Sequence, residues 1–306
     1  MTTTPATTPA TATTPATTPA TATTPATAPG PATTPAHRTA RTSTTVTADA
    51  LAAYRTAART GLPPAPDAAA APAHPFVLAH TLAQHTVTTL TTGDPGFTGV
   101  VHLAQEIHTH HPLTAGTHVD IDVTVTAARR EARGTRLALT THLTDGTRTL
   151  ARLTTSALLV GATTIEPFGT LTPAAHPGTT PDTEPLTLTH TLTPADVTAY
   201  AHAAGDLNPL HLDDAAARAA GFPAAIAHGM HLVALATEEI TDRHADGDPT
   251  RLTALGARFA APTTPGTPLR LTLQPYDQGT VVRFTVATQD GTAVKAGWAA
   301  LTPAGE

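Results

Sequence analysis

The chain has 306 residues, a formal net charge of −6 at pH 7 and no cysteine. Without cysteine it forms no disulfide and offers no thiolate nucleophile, as expected of a cytoplasmic protein. Mild acidity, a single lysine (Lys295) and only 3% aromatic residues argue against a nucleic-acid partner, and no apolar run reaches the length of a membrane span.

The first stretch, residues 1–45, is rich in Thr, Pro and Ala in loose TTPA and TAT repeats. It carries no charge before His37 and no large apolar residue after Met1, so it cannot bury enough surface to offset its ordering entropy. It is expected to be disordered, and it lacks the basic start and apolar run of a secretory leader. Residues 47–60 (TADALAAYRTAART) place Leu51, Tyr54 and Ala58 on one face of a helix. Gly61-Leu62-Pro63-Pro64 stops it. Residues 75–90 are apolar enough for a second, buried helix, closed by Gly93-Asp94-Pro95-Gly96. The period then changes to two. Strands are expected over 100–110, 118–126, 135–143 and 149–159, with turns at Gly116, Gly134 and Asp145-Gly146. A Pro/Gly/Thr-rich linker fills 161–185. A strand over 186–192, a helix from Pro194 to about Ala203, a helix opened by Gly229 and four more strands follow.

The two halves echo each other. Pro112 to Thr117 (PLTAGT) matches Pro262 to Thr267 (PTTPGT), and Asp145-Gly146-Thr147 matches Asp290-Gly291-Thr292. Tyr54 matches Tyr200, and His74-Pro75-Phe76 matches His228-Gly229-Met230. Each half runs helix, helix, then antiparallel strands, the order in which a sheet wraps a central helix, an α+β class. The halves are 46–160 and 186–306. They differ at one place: Arg59 to Pro63 (RTGLP) stands where the second half has Gly205 to Pro209 (GDLNP). The first half also has Pro75, which lacks an N–H, in place of Gly229. One active site per chain is therefore expected, in the second half.

The densest polar chemistry lies in Gly205-Asp206-Leu207-Asn208-Pro209-Leu210-His211. An acid, an amide and an imidazole in one short turn suffice for acid/base work. Such a turn is also a common helix cap. Ala227-His228-Gly229-Met230 follows, and a glycine at a helix start lets backbone N–H groups approach a ligand oxygen. His108, His110 and His111 invite a metal reading, but no acidic partner at ligand spacing accompanies them, so no metal site is expected. Arg129, Arg130, Arg133 and Arg136 cluster at a turn that is read as a solvated hairpin.

From Tyr200 through Ala204 to His211, then Gly221-Phe222 and Ile226 to Met230, the sequence resembles the signature of MaoC-like dehydratases, the (R)-specific enoyl-CoA hydratases (hydratase 2) of the hot-dog fold. The resemblance implies a double hot-dog, with two antiparallel sheets each wrapping a central helix and joined side by side. It implies a hydro-lyase: reversible hydration of trans-2-enoyl thioesters to (R)-3-hydroxyacyl thioesters. Asp206 and His211 would be the catalytic dyad, Asn208 would orient the water or the dyad, and the Gly229 N–H would take the thioester carbonyl. Met230 and Phe222 would bind substrate beside His228, whose expected role is to hold the loop. No cofactor is implied, and the partner is acyl-CoA or acyl carrier protein, with a monomer or homodimer as the assembly. A non-catalytic acyl-thioester-binding protein, or a dehydratase subunit that needs a partner, is the alternative.

Overall fold

The computed structural model describes residues 38–66 and 69–303. The expected disordered tail therefore lies mostly outside the described residues, but its end is a correction. Thr39–Thr45 form strand β1, paired antiparallel with strand β3 (His118–Glu131) from Thr39↔Thr124 to Thr45↔His118. Its threonines suit a pleated edge, and Arg41 adds an ion pair to Asp122. Composition hid this strand because its hydrogen-bond partners lie some eighty residues away in the chain.

Local chemistry explains most of the helices. Thr47 caps α1 (Ala48–Ala58) by accepting from the Ala50 N–H, with Asp49 in the first turn. Pro75 sits in the first turn of α2 (His74–Thr91). Four strands follow: β2 (Gly99–Thr109), β3 (His118–Glu131), β4 (Gly134–Asp145) and β5 (Arg148–Val160). The second half opens with β6 (Leu186–Thr191) and α3 (Pro194–Ala204), which starts in a full capping box of Thr193 and Asp196. Then come α4 (Pro209–Leu212), α5 (Asp214–Ala219), α6 (Gly229–His244) and strands β7 (Leu252–Phe259), β8 (Pro268–Tyr276), β9 (Val281–Thr288) and β10 (Gly291–Leu301). No described helix is long and apolar enough to cross a membrane.

The ten strands form one sheet in the order β1-β3-β4-β5-β2-β7-β10-β9-β8-β6. Read outward from the middle, each half has the same sequence of strands. The halves join edge to edge through β2 and β7, from Ala104↔Arg258 to His108↔Ala254. The side-by-side double hot-dog is thus one continuous sheet. Alternate residues of β3 (Val119, Ile121, Val123, Val125) and of β8 (Leu269, Leu271, Leu273) point into one shared core. The two central helices, α2 and α6, pack on their own halves.

The internal repeat extends to single hydrogen bonds. Gly116 donates to the Val46 carbonyl at 2.8 Å, and Gly266 donates to the Leu192 carbonyl at 2.7 Å. Both glycines sit at positive φ, +87° and +85°, where a side chain would be strained.

The linker is an extended strap. Phe168 bridges to Ala128 of β3, Ala175 N–H donates to Glu106 of β2, and Pro181 bridges to Tyr276 of β8. A buried ion cluster ties the halves together as well. Arg59 reaches Glu238 and Asp242 of α6, each at 2.7 Å, and Arg55 reaches Glu238 at 3.4 Å.

Candidate active site

The polar turn lies between two helix ends. Gly205 closes α3 in the left-handed region (φ +70°), and Asn208 caps α4 by accepting from the Leu210 N–H. Pro209 begins a one-turn helix, where its missing N–H costs no internal hydrogen bond. That helix carries His211 in its last turn. Asp213 caps α5 by accepting from the Ala216 N–H at 2.6 Å, while Asp214 accepts from the Ala225 N–H at 2.9 Å.

These contacts set the tautomers. His211 Nδ1–H donates to the Ile226 carbonyl at 2.8 Å, which leaves Nε2 as the lone-pair nitrogen. His228 Nε2–H donates to the Asp206 carbonyl at 3.0 Å and pins the turn. The two rings stack with centroids 3.7 Å apart. Asp206, His211 and His228 bring one side-chain atom each within 4.8 Å of one another. That spacing suits proton exchange. It is also close enough for a shared cation, but the His228 nitrogen facing Asp206 has its proton committed to a carbonyl and has no lone pair to give.

Electrostatics divide the roles. Burial by itself would raise the Asp206 carboxyl, but His80, His228 and His211 outweigh it and hold the group well below the ordinary carboxylate range. Burial lowers His211, opposed by the Ile226 carbonyl and Asp206. Burial, then the neighbouring His211, lowers His228 to about 4. At neutral pH the site is therefore an anionic carboxylate beside the neutral imidazoles of His211 and His228.

Gly229 is the first residue of α6, with its N–H in the helix turn that lacks internal acceptors. A side chain there has no room: a Cβ would come within 2.6 Å of the Phe259 ring. Asp206, Asn208, His211, Phe222, Gly229 and Met230 all line one cavity of about 900 Å³, as does His228. The first half supplies its other wall, including Phe76, His80 and Gln84 of α2 and Val101 and His102 of β2.

His80 and His102 line the site but were not singled out in the sequence. His80 Nε2 stands 3.5 Å from Asp206 Oδ2. Nothing in its spacing marks it among 17 histidines. The His108, His110 and His111 set is not brought together at ligand spacing among the described residues. In the arginine cluster, Arg129 pairs with Glu131, Arg130 donates to the Thr163 carbonyl and Arg136 to Ser156, whereas Arg133 lines the cavity.

The corresponding place in the first half is plugged. Arg59, at the position of Gly205, turns into its ion cluster with Glu238, which is fully buried, and Asp242. His74, at the position of His228, is buried edge-on to Tyr54, and neither ring nitrogen finds a hydrogen-bond partner.

Residues 174–296 match the family described as MaoC like domain. The chain is 34% identical over 118 residues to peroxisomal multifunctional enzyme type 2 of Drosophila melanogaster, covering 38% of this chain and 19% of that one. It is 30% identical over 164 residues to 3-hydroxyacyl-thioester dehydratase X of Mycobacterium tuberculosis, covering 54% of this chain and 55% of that one. The matches thus span about half or less of these curated relatives. A MaoC-like dehydratase from Phytophthora capsici superposes with a TM-score of 0.73 at 22% identity, over 87% of this chain and 95% of that one. Residues 174–296 thus match a MaoC-like domain, and the chain shares its fold with a MaoC-like dehydratase.

Proposed function

We propose that this protein is a hydro-lyase that adds water reversibly to trans-2-enoyl thioesters, giving (R)-3-hydroxyacyl thioesters. One observation carries the reading. The Asp206 carboxylate, the free Nε2 of His211 and the N-terminus of α6 at Gly229 open onto one largely apolar cavity. A pure binding protein has no use for a charged dyad beside a helix N-terminus.

In hydration, a water held between Asp206 and His211 loses a proton to the pair as its oxygen bonds to C3. The pair returns a proton to C2. The electrons of the double bond pass through the thioester carbonyl, whose oxygen gains enolate charge. The Gly229 N–H, at the positive end of α6, stabilises that charge, a term typically worth ~3 kcal/mol. Dehydration runs the same steps backward. The dyad titrates as a unit, so each proton belongs to the pair rather than to one residue. Asn208 and His228 hold the turn, while Phe222, Met230 and the α2 wall shape the acyl site. This chemistry calls for no metal or redox cofactor, because the dyad provides both base and acid. The thioester is carried by CoA or by an acyl carrier protein.

The test is loss of enoyl absorbance with crotonyl-CoA, a medium-chain trans-2-enoyl-CoA and a carrier-bound enoyl thioester. Asp206→Asn and His211→Ala serve as controls. Loss of absorbance that both substitutions abolish supports the reading. Folded protein that hydrates none of the three overturns it in favour of binding without turnover.

A further inference from the structure

We infer that His80, carried by α2 of the half that has no dyad, is a positioning residue for Asp206. The inference rests on the hydratase reading for its consequence in turnover, but its geometry stands independently.

Asp206 is about 16% exposed at its side chain and His80 about 11%, so the carboxylate has little water to stabilise it. A carboxylate so placed needs donors. Its Oδ1 accepts weakly from the Asn208 N–H at 3.4 Å. Its Oδ2 faces two imidazoles, His80 at 3.5 Å and His228 at 3.9 Å. His228 has already given its Nε2–H to the Asp206 carbonyl. His211 has given its Nδ1–H to Ile226 and presents a lone pair. That leaves His80 as the imidazole placed to donate to Oδ2: its Nε2 approaches to 3.5 Å and is buried without a formed hydrogen bond to any described residue.

His80 is also held in place. The Phe76 ring lies 5.2 Å away, one helical turn earlier, and itself stacks on His102 of β2 at 5.7 Å. The groups facing Asp206 are thus His80 from α2, His102 from β2, His211 from α4, His228 at the start of α6 and Tyr200 from α3. His80 faces Asp206, His102, His211 and His228, and burial keeps His102 low, at about 4.

The fold itself does not call for a histidine here. Counting from Pro75 and Gly229, the position of His80 in α2 corresponds to Ala234 in α6. The histidine is present only on the helix that faces the dyad. Its role is to orient Oδ2 toward the water and to keep the carboxylate charged. The first half thereby contributes to the chemistry as well as to the cavity wall.

His80→Phe keeps a ring to pack against Phe76 but removes the donor, and His80→Gln restores an N–H near the same place. A melting curve verifies that each variant is folded. For His80→Phe the expected result is a fall in kcat of up to about 100-fold with little change in KM. The acid limb of the kcat–pH profile moves to higher pH. His80→Gln recovers much of the kcat. The second readout does not depend on turnover. In protein labelled with carbon-13 at aspartate carboxyls, the Asp206 signal is assigned by its loss in Asp206→Asn. In the parent it stays ionised into strong acid, and in His80→Phe its midpoint rises toward the ordinary 3.8. Folded His80→Phe with parental kcat and an unmoved Asp206 midpoint overturns the inference. If the parent hydrates no enoyl thioester, the functional reading fails while the carboxyl titration still decides the role of His80.

Discussion

The hydroxyls of Tyr54 and Tyr200, one from each half, lie 3.3 Å apart in the buried centre of the molecule. Their rings are 5.6 Å apart, and Tyr200 also stacks on His231 at 4.3 Å. The repeat thus meets itself at a hydrogen bond between equivalent residues. Tyr54→Phe or Tyr200→Phe leaves the other hydroxyl buried and unpaired, and each is expected to cost about 1–2 kcal/mol. The double substitution should cost less than the sum of the two, with a coupling above about 0.5 kcal/mol. Urea unfolding of the four proteins measures this. Purely additive costs would mean that the bond contributes nothing.

At Gly229 the limit is steric. A Cβ would press on the Phe259 ring, and the helix start would have to shift. Gly229→Ala should therefore reduce kcat by about 100-fold, because a displacement near 1 Å at a reacting group has that scale. Pairing it with Phe259→Ala opens the space and should recover part of the loss. A double variant no faster than the single one would locate the defect elsewhere.

Asn208 separates a cap from a catalytic amide. Its side-chain oxygen caps α4 through the Leu210 N–H at 3.1 Å. Asn208→Ala should lose about 1 kcal/mol of stability and much of the activity. Asn208→Asp keeps the capping oxygen and removes the amide N–H. If the amide orients the water, Asn208→Asp melts like the parent but turns over slowly. Parental kcat in Asn208→Asp would leave Asn208 only its cap.

In the plugged half, Arg59 neutralises Glu238, which no solvent reaches. Arg59→Ala strands that carboxylate with Arg55 as its remaining partner, at a cost of about 3–5 kcal/mol. No second hydration site should appear, since Asp, Asn and His are all missing there. Chemical denaturation and active-site titration with a tight-binding thioester analogue check the two halves of this statement.

Several histidines make the fold sensitive to acid. Burial lowers His74, His102 and His228 to about 4 and His231 to about 3 from 6.5. The folded state thus binds fewer protons than the unfolded chain across that window. Stability is complete above pH 6.5 and falls as pH drops toward 4. At the acid end His74, His102 and His228 each account for up to about 3 kcal/mol of the loss and His231 for up to about 5 kcal/mol. His74, whose ring nitrogens find no hydrogen-bond partner, isolates one contribution. His74→Phe keeps the edge contact with Tyr54 and should flatten the decline by one proton. Unfolding midpoints measured between pH 7.5 and 4.5 test this, and an unchanged slope would remove His74 from the account.

The repeat, the four longer helices and nine of the ten described strands were legible in the sequence because their signals are local. Apolar period, caps such as Thr47 and Thr193, and the Gly116 and Gly266 turns are each written within a few residues. The turn from Gly205 to His211 and the glycine of α6 were legible for the same reason, since their order along the chain is the motif. The extent of β1 was not. Thr39–Thr45 look like more of the Thr-rich tail until β3 offers them a partner, and pairing over that separation leaves no local trace. His80 was hidden in the same way. It sits on a helix of one half and acts on a carboxylate of the other, a proximity created only when β2 and β7 join the halves into one sheet. Nor did residue types alone assign the His211 proton or place Asp206 as a buried anion. Those follow from the Ile226 carbonyl and from the histidines that surround the carboxyl and outweigh its desolvation, in a cavity that exists only in three dimensions.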